Sequence, residues 1–91
     1  MSSEIHMDAY KRLGNAVILQ AARDYKRAYR KRARYPKDNS AKDECRELEE
    51  FFRSQRFQIF TDLDGPALLE KLQKTLQKTL EEELNGNVKA R

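Results

Sequence analysis

From Asp8 to Arg34 apolar residues return every three or four positions: Ala9, Leu13, Val17, Ile18, Ala21, Tyr25, Ala28 and Tyr29. That period belongs to an amphipathic helix with one face turned to a core. Asp8 is placed to cap its start, and residues 1–7 are expected to fray. Gly14 interrupts the run and weakens it by about 1 kcal/mol relative to alanine, so a kink is expected there. The helix should end near Arg34, because Tyr35 precedes Pro36 and is biased away from helical angles. Residues 36–40, PKDNS, are turn chemistry. Ser40 and Asp43 then have the spacing of a capping box, with Asp in the usual place of Glu. A second helix follows, with Ala41, Cys45, Leu48 and Phe52 in one stripe, and ends or bends near Ser54. RFQIF is too short and too poorly alternating for a strand. It reads as a helical corner that plugs the core with Phe57, Ile59 and Phe60. The last helix is predicted over Pro66–Leu84, with Leu68, Leu69, Leu72, Leu76, Leu80 and Leu84 as its stripe. Asn85 and Gly86 are a stop signal, and residues 86–91 are expected to be loose.

These elements predict an all-α fold: one domain over residues 1–91, ordered from about 8 to 85, built as a small antiparallel bundle of three helices, or four if the corner is counted. Its core should contain Ile18, Ala21, Tyr25, Leu48, Phe52, Ile59, Leu68, Leu69 and Leu72. Cys45 should sit there as a small apolar residue.

Composition narrows the chemistry. Of 91 residues, 38% are hydrophobic and 37% charged, which suits small amphipathic helices with much surface and little core. A single cysteine allows no internal disulfide, and a single histidine beside it allows no Cys/His zinc site. No signal peptide and no bilayer-length apolar run is visible, so the expectation is a cytoplasmic chain without a cofactor.

The one stretch that resembles a catalytic motif is IFTDLDG, residues 59–65. It is similar to the first motif of haloacid dehalogenase-like phosphatases, and the resemblance would make Asp62 a nucleophile and Asp64 an acid/base. That family needs a parallel sheet, and each parallel connection consumes a long crossover. Only 26 residues follow Gly65, and they read as one helix. Pro66 stands where the family usually has threonine, and the motif follows helices where the family has its first strand. A calcium loop fares no better. With Gly65 at loop position six, the first and last ligand positions fall on Phe60 and Lys71. The remaining reading is a helix start: Asp64 and Gly65 lead into Pro66, a favoured first helical residue, where carboxylates meet unpaired N–H groups. The resemblance is therefore read as spurious, and the chain as non-enzymatic.

Charge is polarised along the chain. Residues 23–37 hold eight Lys and Arg against one Asp, a net +7, whereas the whole chain carries +4. At about 100° per residue, Arg23, Lys26, Arg27, Arg30, Lys31 and Arg34 share one side of the first helix. Such a face can neutralise phosphates of nucleic acid, and duplex is the more specific form of that expectation. Tyr25 and Tyr29 point to the core side, Tyr35 is freer, and Arg32 falls near the apolar side and must snorkel or find a carboxylate. Against this reading, residues 43–50, DECRELEE, net −4 and could flank the same cations. No recognition helix with a convincing turn is present, so base-specific binding is not supported.

AVILQAARDYKRA (16–28) and ELEEFFRSQRFQIFTDLDGPALLEKL (47–72) together resemble a group of small helical proteins carried by Gram-positive mobile elements and prophages. The resemblance implies an accessory role in an element-bearing bacterium and carries no catalytic residues. The leading expectation is a binding protein that contacts nucleic-acid phosphates through the basic face. The alternative is protein interaction or homo-oligomerisation through the row Leu72, Leu76, Leu80 and Leu84. Exposure of that row would favour an oligomer, and its burial would remove the motive. No membrane and no small-molecule substrate is inferred.

Overall fold

The computed structural model describes the backbone of residues 2–89 and the side chains of residues 12–84. The chain forms α1 (Ser2–Arg34), α2 (Asn39–Arg53), a one-turn α3 (Phe57–Phe60) and α4 (Gly65–Lys89), with no strand among the described residues. This is the all-α bundle, with the corner as a fourth short helix. α2 returns antiparallel to α1, and α4 returns antiparallel to α2, so α4 runs in the direction of α1.

Several boundaries differ from the pattern reading. α1 begins at Ser2, so Asp8 lies inside the helix and does not cap it. No proline or glycine stands between Ser2 and Leu13 to stop the helix from propagating. Gly14 does not break it either. At the other end, α4 runs through Asn85 and Gly86 to Lys89. Those residues permit a left-handed cap but do not impose one, and no described glycine has a positive φ. The expectations for Met1, Ala90 and Arg91 lie outside the described residues.

The caps are also resolved differently. Asp38, not Ser40, starts α2: its extended backbone (φ −79°, ψ 99°) turns the carboxylate onto the Ala41 N–H at 3.1 Å. Asp64 does the same for α4, accepting from the Ala67 N–H at 3.1 Å, so Pro66 occupies the second helical position. α2 ends where expected, with the Ser54 N–H and hydroxyl both donated to the Phe51 carbonyl, at 3.1 and 2.7 Å.

The core joins Ile18, Ala21, Tyr25 and Ala28 of α1 to Cys45 and Phe52 of α2, Phe57 of α3, and Leu69 and Leu76 of α4. Leu48, Leu68 and Leu72 are half-buried against it. Ile59 is a correction: it is 75% exposed, while Phe57 beside it is fully buried. A single helical turn can put only one side to the core, and here Phe57 takes it. Leu13 and Val17 of the predicted α1 stripe are exposed as well, and the Ala9 side chain lies outside the described residues. Aromatic rings fill the corner, with Phe52 5.4 Å from Phe57 and Phe51 5.8 Å from Phe57 between centroids.

Two glycines let backbones meet. A β-carbon on Gly14 would collide with the Phe60 carbonyl, and one on Gly65 with the Phe52 carbonyl. Gly14 is therefore the point where α1 lies against the end of α3, and Gly65 the point where α4 starts against the end of α2. The Gly65 of TDLDG has a packing reason.

One polar network crosses the bundle. Tyr25, fully buried, donates its hydroxyl to Glu49 at 2.7 Å and accepts from the Gln73 amide at 3.3 Å, linking α1, α2 and α4. Burial first, then the hydrogen bond to Glu49, pushes the Tyr25 phenol well above its ordinary 10.0. Burial also raises the Cys45 thiol above 9.0. Unfolded chains surrender both protons near the ordinary values, and the folded chain holds them longer. Their contribution is thus complete below about pH 9 and is lost as pH rises through the raised values. The urea midpoint is expected to fall between about pH 8 and about pH 11, and to fall less steeply in Tyr25→Phe. Equal slopes for the two proteins would contradict the assignment to Tyr25.

Candidate nucleic-acid interface

The buried side of α1 is made of Gly14, Ile18, Ala21, Tyr25 and Ala28, spaced four, three, four and three apart. Gly14 and the alanines let neighbouring helices come close, and Tyr25 is pinned from both α2 and α4. The rotation of α1 about its own axis is therefore set. Residues half a turn away must face out. Arg23, Lys26, Arg27, Arg30, Lys31 and Arg34 are all exposed, and with Tyr35 they line one shallow depression on the outer side of the helix. The six span about 17 Å of helix axis.

Two of the six have carboxylate neighbours. Arg27 Nη2 lies 2.9 Å from Asp24 Oδ1, and Lys31 Nζ lies 3.6 Å from Asp38 Oδ2. Both basic side chains remain mostly exposed, at 69% and 54%. Exposed pairs of this kind hold their cations by only about 0–1 kcal/mol. Asp38 is engaged twice over: the Ala41 N–H, above all, and the Lys31 ammonium keep its carboxyl below the ordinary carboxylate range. Among the described residues, no carboxylate lies within 4.0 Å of Arg23, Lys26, Arg30 or Arg34.

The acidic second helix does not pair with this face. Asp43 pairs with Arg46 on α2 itself, at 3.1 Å. Glu49 is the α2 carboxylate that reaches α1, and it meets Tyr25 and Arg32, the latter at 3.9 Å. Arg32 also stacks over Tyr29, 4.9 Å from the ring centroid. The cation on the apolar side has thus found both a carboxylate and a ring, and the outward six have been left outside that arrangement.

The leucine row behaves differently along its length. Leu76 is buried, Leu72 and Leu80 are half-buried, and Leu84 is 75% exposed. A strict four-residue spacing advances about 40° around a helix at each step, so a row centred on Leu76 swings away from the core by Leu84. Leu80 and Leu84 border a groove with Glu83 of α4 and Ala33 and Arg34 of α1.

The TDLDG turn is closed by its own hydrogen bonds. Thr61 Oγ1 accepts from the Leu63 N–H at 3.2 Å, and the Gln58 amide donates to the Thr61 and Leu63 carbonyls, both at 2.9 Å. Asp64 caps α4, and Asp62 is exposed. Among the described residues, no cluster of His, Cys, Asp or Glu is arranged to hold a metal ion, and no helix is long and apolar enough to cross a membrane. Pattern reading missed the Tyr25–Glu49–Gln73 network. The available signal was Tyr25 itself, since a buried tyrosine hydroxyl calls for a partner. Neither the choice of Glu49 from the five carboxylates of residues 43–50 nor that of Gln73 could be read locally.

Comparison with known protein families, with curated proteins and with solved structures finds no match to this chain.

Proposed function

We propose that the chain is a non-enzymatic accessory protein that binds nucleic-acid phosphates through the outer face of α1, in the cytoplasm of a bacterium carrying the mobile element or prophage that its resemblance suggests. The supporting observation is the disposition of charge. Six cations lie along one outward helix side, and four of them have no carboxylate within 4.0 Å among the described residues. A row of this kind displaces counterions from a phosphate backbone without reading bases.

Fluorescence anisotropy with a labelled random duplex tests the reading. Affinity is expected to fall steeply with salt, with a log–log slope of magnitude up to about 5 if all six cations engage. The triple variant Lys26→Glu/Arg27→Glu/Arg30→Glu should abolish binding while keeping the wild-type circular dichroism spectrum. Binding that the triple variant retains would sink the proposal, and so would the absence of binding at low salt to duplex and single strand alike.

Leu84 supports a second reading, protein interaction or self-association through the C-terminal end of α4 beside the groove with Ala33 and Arg34. Only the end of the leucine row contributes to it, because Leu72 and Leu76 pack within the chain.

A further inference from the structure

Tyr35 is the aromatic residue of the basic depression. Tyr25 is fully buried and Tyr29 lies half-buried beneath Arg32, whereas Tyr35 is 55% exposed beside Lys31 and Arg34. Its backbone is held on both sides. The Tyr35 N–H donates to the Lys31 carbonyl at 2.8 Å, closing the last turn of α1, and the Tyr35 carbonyl accepts from the Asp38 N–H at 2.9 Å. Pro36 follows with its fixed φ. The ring is thus presented from a fixed point, at the end of a track of cations.

We infer that this site takes single-stranded nucleic acid, with one unpaired base stacked on Tyr35 and the adjoining phosphates carried along Lys31, Arg34, Arg30 and Arg27. The inference rests on the phosphate-binding reading and names its ligand class. A duplex keeps base faces inside its stack, so a ring at the edge of a convex helix meets only backbone and base edges. An unpaired base offers its π-face, and an aromatic platform beside a cationic track is the usual way to hold one without regard to sequence. The six cations serve either form, and Tyr35 adds affinity for the unpaired form alone.

The test compares a labelled oligothymidine with a labelled duplex of equal length at low salt, using wild type, Tyr35→Ala, Tyr35→Phe and the triple charge reversal. Wild type should bind the single strand more tightly. Tyr35→Ala should weaken single-strand binding by roughly 5-fold or more and leave duplex binding unchanged. Tyr35→Phe should retain the preference, because the ring and not the hydroxyl stacks. The chain has no tryptophan, so tyrosine emission is readable directly and should be quenched by oligothymidine in wild type more than in Tyr35→Ala. Unchanged single-strand binding in Tyr35→Ala, or an equal loss for both ligands, would overturn the stacking role. If binding then still weakens with salt and vanishes in the triple variant, the phosphate-binding reading stands by itself. If neither ligand binds, both readings fall.

Discussion

A Gly65→Ala protein should melt on the order of 10–20 °C below wild type, a loss of about 3 kcal/mol. The new methyl group would occupy the place of the Phe52 carbonyl oxygen, with Phe57 ring carbons at 3.0 and 3.1 Å. The ring can yield slightly. The carbonyl belongs to the last turns of α2 and cannot rotate away, so α4 has to lift off α2 where the core is densest. Left-handed backbone is not the reason for glycine here, since no described glycine has a positive φ. Gly14→Ala is the sharper companion. On helix propensity alone it should stabilise α1 by about 1 kcal/mol. Contact with the Phe60 carbonyl reverses the sign, and the variant is expected to melt below wild type. Thermal unfolding followed by circular dichroism decides both cases. A Gly14→Ala protein that melts at or above the wild-type temperature would show that α3 is not seated on α1 as described.

Phe57→Ala and Ile59→Ala should differ by several kcal/mol, although the two residues share one helical turn. Phe57 is fully buried among Phe51, Phe52 and the start of α4, and its removal leaves a cavity costing about 3–5 kcal/mol. Domains of this kind have only about 5–15 kcal/mol to lose. Ile59 is 75% exposed, so its truncation should fall within about 0.5 kcal/mol of wild type. Urea unfolding of the two variants gives the comparison directly. Similar losses for both would mean that the corner turns its other side inward.

What could be read before folding was whatever adjacent residues decide. Tyr35–Pro36 ends α1, Ser54 ends α2, and the three-and-four spacing of Ile18, Ala21, Tyr25 and Ala28 orients α1 and turns the six cations outward. Ambiguity began where local rules admit two answers. Asp38 and Ser40 are both good capping residues, and only the extended backbone at Asp38 shows which one caps. Four residues are too few for periodicity to choose between Phe57 and Ile59. The deepest misses are contacts between distant parts of the chain. Gly14 looked like a weakness in a helix because the Phe60 carbonyl is 46 residues away. The basic face was visible as a side of a helix. Whether α2 would neutralise it depended on how Glu49 and Asp43 turn, which pattern alone does not decide.

The lone thiol of Cys45 has a use unrelated to binding. It is fully buried between α1 and α2, and no second cysteine competes for reagent. A thiol-specific probe can reach it only during moments when those helices part. The labelling rate of the unmodified protein is therefore a clock for opening events, and when reclosing is fast it reports the free-energy gap to the open form. The native chain carries its own opening sensor, against which every substitution described above can be timed without adding a reporter.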